Sequence, residues 1–173
     1  MAPEEKQSAF EIEPLGNNHD RAAFSCGDKA LDTYLHTQAG QDVKKSVAVV
    51  FVATPDRRTI AGYYTLSQYA IHLDTIPPGV ARKLPRYPML PATLIGRLAS
   101  SEKFRGQRVG ETLLMNALET CLKYSKQVAA VCVVVDAKND SAAAFYRKYG
   151  FIDLPKVERR LFLPMKTVAA LFP

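Results

Sequence analysis

The sequence predicts an α/β fold of the α+β kind, built on one mixed sheet that starts with antiparallel strands and holds a central parallel pair, with helices on both faces. Three observations predict it. Two β-branched runs, 46–54 and 59–70, are joined by the short turn Pro55-Asp-Arg-Arg, and strands so closely connected pair antiparallel. Further on, an apolar strand at 94–99, a helix at 109–124 and a continuously apolar strand at 128–135 give the strand–helix–strand order of a parallel crossover. The 173 residues contain no repeat, low-complexity tract or linker, so one domain spanning 1–173 is expected.

The remaining elements follow in chain order. Residues 9–14 alternate apolar and polar, as an edge strand does. Gly27 and Asp28 supply a turn and an N-cap for a helix running to about Asp42, with Leu31, Tyr34, Leu35 and Ala39 on its apolar face. The segment 71–91 contains Pro77, Pro78, Pro85, Pro88 and Pro91, leaving room for one short helix near 80–84. It also carries Arg82, Lys83, Arg86 and Tyr87, so it is either a solvated connection or a functional loop. In the helix at 109–124, Leu113, Leu114, Ala117, Leu118, Cys121 and Leu122 share one face. Asn139 and Asp140 cap a helix at 141–149 that stops at Gly150, and 151–154 and 160–165 close the sheet.

With 47% hydrophobic and 23% charged residues, the chain is neither disordered nor membranous. No apolar run approaches the ~18 residues of a membrane helix, and the start Met1-Ala-Pro-Glu-Glu-Lys is not a signal peptide. A cytoplasmic location is expected. Cys26, Cys121 and Cys132 are too few and scattered for a disulfide or zinc framework, so no metal is expected. The net charge of +6 is uneven: residues 1–42 carry −5 and residues 43–173 carry +11. An excess of this sign favours an anionic partner, nucleic acid or a phosphorylated cofactor, although it also serves plain solubility.

That positive half contains the stretch Arg97–Leu114, read as a strand end, a basic glycine loop (Arg105, Gly106, Gln107, Arg108, Val109, Gly110) and a helix start. Unpaired N–H groups and the helix dipole make such a place fit for phosphates; the alternative is a surface turn rich in Arg and Gly.

Three features in this order, strand 94–99, the loop 105–110 and the segment Ala142-Ala-Ala-Phe-Tyr-Arg-Lys-Tyr-Gly-Phe, resemble the GNAT superfamily of acetyl-coenzyme A-dependent N-acetyltransferases. The superfamily loop, Gln/Arg-x-x-Gly-x-Gly/Ala, is matched at Arg105 and Gly110, while Arg108 stands where its first glycine belongs. The segments Phe24–Leu35, Ile60–Ser67, Leu84–Pro88, Gly96–Ala99 and Val134–Asp140 narrow the resemblance to the acetyltransferase toxins of bacterial type II toxin–antitoxin systems, which acetylate the amino group of aminoacyl-tRNA. The acidic residue usual after the central strand is missing, Ser100 and Ser101 standing there instead.

This resemblance implies acetyl-coenzyme A as acetyl donor, with Tyr146 giving the departing thiolate its proton, a role that the residues alone leave tied with simple packing. It further implies that the backbone of Leu98 and Ala99 holds the pantetheine arm and that 105–110 hold the diphosphate, with Asn139 either touching the cofactor or only capping its helix. Lys44, Lys45, Arg82, Lys83, Arg86, Arg159 and Arg160, with Tyr87 to stack, are the candidates for tRNA. Arg97 faces the acceptor pocket or forms a structural ion pair. The implied partners are aminoacyl-tRNA, a ribbon-helix-helix antitoxin and a second copy of the chain. Two other readings stand beside this one: N-acetylation of a small amine, peptide or protein N-terminus, and a non-enzymatic cofactor-binding interaction or repressor module.

Overall fold

In the computed structural model, which describes residues 8–173, seven strands form one sheet in the order β1-β2-β3-β4-β5-β7-β6. They are β1 (Glu11–Pro14), β2 (Val49–Thr54), β3 (Gly62–His72), β4 (Met89–Ser100), β5 (Cys132–Asp136), β6 (Ile152–Asp153) and β7 (Arg160–Pro164). β1 and β2 pair antiparallel, β4 and β5 pair parallel, and β7 runs antiparallel to both β5 and β6. The mixed sheet with its central parallel pair is the one the sequence predicts. Helices α1 (Lys29–Thr33), α2 (Ala39–Lys44), α3 (Pro78–Ala81), α4 (Val109–Ser125), α5 (Asp140–Lys148) and α6 (Met165–Leu171) complete the chain.

Several boundaries differ from expectation, each for a local reason. The helix expected to run unbroken to Asp42 is interrupted at Tyr34–Gln38 by a π turn, closed by Ala39 N–H donating to the Tyr34 carbonyl. Residues five apart lie nearly in line on such a turn, which suits the burial of both Tyr34 and Ala39. Strand β2 starts three residues late because the end of α2 claims Ser46 and Val47: Val47 N–H donates to the Asp42 carbonyl at 2.9 Å. The proline segment is shorter than its prolines suggest, since β3 reaches His72 and β4 begins at Met89. Pro91 fits inside β4 because the strand uses its carbonyl there, which accepts from Val131 N–H at 2.9 Å. The short helix near 80–84 lies at 78–81, with Pro78 in the first turn. Strand β5 begins at Cys132 rather than 128, since Gln127 and Val128 still bond back to Tyr124 at the end of α4. Helix α6, with Val168 buried, was not foreseen.

The contacts divide the chain into two compact units. The first, up to Tyr64 and then Leu98–Leu114, packs Phe24, Tyr34, Leu35, Val52, Ile60 and Tyr63 into one core that includes Ala99. The second, Thr65–Arg97 and Met115–Pro173, packs Ile71, Ile76, Leu90, Cys132, Val134, Leu154 and Phe162. Cys121 and Cys132 are core residues, as their apolar segments imply, and burial pushes both thiols up to about 12.

Candidate active site

The parallel ladder between β4 and β5 ends at Ile95 and Val135, yet β4 runs on to Ser100. The strand then enters a turn fixed within the first unit. Ser101 N–H donates to the Ala61 carbonyl at 2.7 Å, Glu102 N–H donates to Ser25 at 2.9 Å, and the Ser101 hydroxyl caps the 3₁₀ turn Glu102–Phe104. Phe104 meets Phe10 edge to face, with ring centroids 5.5 Å apart. Arg105 reaches Glu102 at 3.5 Å, an exposed pair of little energetic weight.

From this anchored turn the glycine loop leads into α4. Gly106 has φ +82°, and a Cβ placed on it would meet nothing within 4 Å, so the loop is open on that side. The first ladder bond of α4 runs from Thr112 N–H to the Arg108 carbonyl at 3.0 Å. The N–H groups of Val109, Gly110 and Glu111 precede that ladder and carry the positive end of the helix. This arrangement suits a diphosphate: donors without helical partners, an open glycine, and a net excess of basic side chains. Arg108 sits at φ +56°, the left-handed region in which glycine is comfortable, at the position where the family pattern has its first glycine.

Gly62 is a supporting residue that the residue-by-residue reading passed over. A Cβ at this position would lie 2.7 Å from Leu113 Cδ1, 2.8 Å from the Ala99 carbonyl oxygen and 2.8 Å from Val109 Cγ1. Its lack of a side chain lets β3, the end of β4 and the start of α4 approach. A glycine inside a strand pattern was the available signal.

In the second unit Tyr146 lies on α5, 5% exposed, its ring edge to face with Phe145 (5.4 Å) and Phe151 (5.5 Å). Its hydroxyl has no hydrogen-bond partner among the described residues, yet no buried polar side-chain atom among them lacks one, so the oxygen reaches the surface. Burial first, and the Asp136 carboxylate second, push the phenol well above its ordinary value of 10.0. The group is thus a protonated donor at any physiological pH. The cap of α5 is Asn139, whose Oδ1 accepts from Ala142 N–H at 2.8 Å, leaving only its Nδ2 for a cofactor.

The basic residues divide sharply. Arg160 grips Asp136 with two bonds, Nε to Oδ1 at 2.6 Å and Nη2 to Oδ2 at 3.0 Å, donates to the Tyr69 hydroxyl, and lies 5.0 Å over the Tyr69 ring. Arg159 pairs with Asp140 at 3.1 Å. Both thus have carboxylate partners within the fold, Arg160 half-buried and Arg159 exposed. Arg97 is half-buried and also partnered. By contrast Arg82, Lys83, Arg86 and Tyr87 are exposed, and Arg82 and Arg86 line an open groove of about 800 Å³ with His72, Asp74 and Ile76. Lys44 and Lys45 are exposed at the end of α2 in the first unit. Among the described residues no group of His, Cys, Asp and Glu is arranged to hold a metal ion.

Comparison with known proteins gives the family. A GNAT acetyltransferase domain model matches residues 46–153. The "Probable toxin TacT" of Sinorhizobium fredii is 31% identical over 169 residues, covering 92% of this chain and 93% of the relative. A "tRNA-acetylating toxin" of Mycobacterium tuberculosis is 31% identical over 157 residues, covering 91% and 93%. Among solved structures, AtaT complexed with acetyl-methionyl-tRNAfMet superposes with a TM-score of 0.86 at 30% identity, over 95% of this chain and 99% of that one. A tyrosine-to-phenylalanine mutant of AtaT bound to the C-terminus of the antitoxin AtaR and acetyl-CoA gives 0.79 at 28% identity, over 94% and 97%. The expected resemblance holds over nearly the whole chain: this protein belongs to the GNAT acetyltransferase family.

Proposed function

We propose that this chain is a single acetyltransferase domain that moves the acetyl group of acetyl-CoA onto the α-amino group of an aminoacyl-tRNA, and so acts as a translation-blocking toxin. The observation that carries the reading is chain-long similarity to a tRNA-acetylating toxin, joined to a buried tyrosine whose hydroxyl is left unpartnered. Acetyl-CoA, when bound, supplies the activated acyl group as a thioester. The residues present fit it: the backbone of Leu98 and Ala99 for the pantetheine arm, the loop Arg105–Gly110 with the α4 N–H groups for the diphosphate, and Asn139 Nδ2 nearby in sequence to Tyr146.

In the reaction the amine nitrogen attacks the thioester carbonyl carbon, a C–N bond forms and the C–S bond breaks. Tyr146 donates its phenolic proton to the departing sulfur, the nitrogen loses its proton to solvent, and the phenolate regains one from solvent, which restores the donor. An α-amino group titrates near ~7.7, against ~10.4 for lysine, so a useful neutral fraction exists without a dedicated base. Arg82, Lys83, Arg86 and Tyr87 are the best-placed candidates for the RNA, with Lys44 and Lys45 as further contacts; Arg97, Arg159 and Arg160 act by holding the fold. An antitoxin of ribbon-helix-helix type, a homodimer and a cytoplasmic location complete the reading. No helix among the described residues is long and apolar enough to cross a membrane.

The test is incubation with labelled acetyl-CoA and a pool of charged and uncharged tRNAs. Label is expected on a charged species only, and not with the Tyr146→Phe protein. Label on free amines or peptides instead would move the function to a small-acceptor acetyltransferase, which has no use for exposed Arg82 and Arg86. Growth arrest surviving Tyr146→Phe would favour a non-enzymatic module.

A further inference from the structure

Within the second unit, the short step from β5 into α5 is held by the residues that open β7. Ala137 N–H donates to the Arg159 carbonyl at 2.8 Å, Arg159 reaches Asp140 at 3.1 Å, and Arg160 takes Asp136 in two bonds, at 2.6 and 3.0 Å. These contacts are unequal. Arg159–Asp140 is an exposed pair of little weight, whereas the Arg160 side chain is only 24% exposed, lies over the Tyr69 ring and donates to the Tyr69 hydroxyl. Two bonds in the plane of a carboxylate, an aromatic face and a further hydroxyl fix both the place and the orientation of this guanidinium. Joining β5 to β7 does not require so much, since the two strands are already in register from Cys132 to Asp136.

The charges around Tyr146 give the pair a second use. They are Asp140, Arg147 and Lys148 on α5, Asp136 on β5, Asp153 on β6, and Arg159 and Arg160 at the start of β7, with Lys138 in the turn before α5. Arg147 and Asp153 offset each other through two bonds of 2.9 Å, as Arg159 and Asp140 do through one, and Lys148 lies over the Tyr149 ring. The Asp136 carboxylate is the one whose field reaches the phenol. When Tyr146 gives up its proton, the O–H bond breaks, an S–H bond forms, and the electron pair stays on the phenolate oxygen. A bare carboxylate opposes that build-up of negative charge. We propose that Arg160 is a positioning residue for this proton transfer: held on Asp136 and Tyr69, it offsets the carboxylate charge that would otherwise resist departure of the Tyr146 proton. The inference rests on Tyr146 as the donor in the acetyl-CoA reading, and it gives Arg160 a part in the chemistry beyond holding the fold.

Single-turnover transfer from labelled acetyl-CoA to a pool of charged tRNAs tests this on the full chain, with coenzyme A affinity and thermal unfolding measured on each variant. Arg160→Gln keeps a polar side chain and loses the charge. It should slow transfer about tenfold, the worth of one pKa unit at the donor, while coenzyme A affinity stays within about twofold of wild type. Arg160→Lys, which keeps the charge, should recover most of the loss. Adding Asp136→Asn to Arg160→Gln should recover it too, because the opposing carboxylate is then gone. The Tyr146→Phe background separates chemistry from support: with no hydroxyl there is no phenolate to oppose, so Arg160→Gln should change the slow residual transfer by less than about twofold. Should Arg160→Gln fail to fold, the smaller loss in Arg160→Lys must vanish in Tyr146→Phe in the same way. A loss that persists undiminished in Tyr146→Phe overturns the inference, and so does an Arg160→Gln protein that transfers within about twofold of wild type; in both cases the donor reading stands. If Tyr146→Phe itself transfers as fast as wild type, the donor reading fails and this inference falls with it.

Discussion

Replacing Gly62 by alanine inserts one methyl group where three elements meet, and the outcome follows from the distances. The new carbon would stand 2.7–2.8 Å from Leu113 Cδ1, Val109 Cγ1 and the Ala99 carbonyl oxygen, against the 3.5–4.0 Å of ordinary contact. Val109 is 3% exposed and Leu113 fully buried, so neither side chain has room to swing away, and the third neighbour is backbone. Overpacking of this kind destabilises by about 1–3 kcal/mol. For a chain of this length each kcal/mol lowers the melting temperature by about 2–4 °C, so a fall of about 2–12 °C is expected in a thermal melt followed by circular dichroism. The groups that must yield are the end of β4 and the first residue of α4, which also frame the glycine loop. Coenzyme A binding should therefore weaken together with stability. Gly79→Ala is the control: its Cβ would meet only Arg82 Nη2, at 3.9 Å, and the change should be neutral or slightly stabilising. A Gly62→Ala protein that melts within about 1 °C of wild type and binds coenzyme A unchanged would refute the reasoning.

Other consequences are as direct. Tyr146→Phe should keep the fold, since its ring contacts survive and its hydroxyl bonds none of the described residues, while acetyl transfer falls about 10²–10⁴-fold in a single-turnover assay. Because burial and Asp136 raise the Tyr146 phenol, the donor stays protonated on the alkaline side, and the rate should show no decline attributable to it up to pH 10; a limb near pH 8 that disappears in Tyr146→Phe would contradict this. The Asp56 carboxylate, held by Thr59 and Arg58 N–H groups, is lowered to about 2 from 3.8. Its stabilising effect is complete above pH 4 and lost as pH falls toward 2, so Asp56→Asn should flatten the acid limb of a stability profile measured by urea unfolding. With Cys121 and Cys132 buried and their thiols raised, a maleimide should label the native protein once, at the half-buried Cys26, as read by mass spectrometry of the intact chain.

Much of the fold was legible because the relevant signals are local. The β-branched run at 49–54, the leucine face of α4 and the Asn139 cap each state their own structure, and the Asp28 cap appears where the sequence puts it, accepting from Leu31 N–H at 3.1 Å. What stayed hidden depended on partners distant in sequence. Nothing in the neighbourhood of Pro91 says that Val131 will use its carbonyl, and nothing near Gly62 announces Ala99 and Leu113. The candidate site divides the same way. The loop and Tyr146 stand out as a motif, whereas Arg160 enters as a candidate on charge alone, which says nothing of its partner. The sheet register sets Arg160 across from Asp136, and pairing within the sheet takes precedence over display at the surface.

That ion pair bears on how mutational screens of such a protein are read. In a charge-reversal scan, Arg160→Glu should lower acetyl transfer as far as the loss of an acceptor contact would, yet it sets two carboxylates against each other on neighbouring strands and strips Tyr69 of its cation. A surrogate acceptor separates the two origins: a variant equally crippled toward a minimal aminoacyl ester, too short to span the 82–87 loop, has lost its scaffold, and only one that recovers there has lost its grip on the nucleic acid. The pairing with Asp136 and Tyr69 predicts the first outcome for Arg160→Glu, and the exposure of Arg82 and Arg86 predicts the second for their reversal.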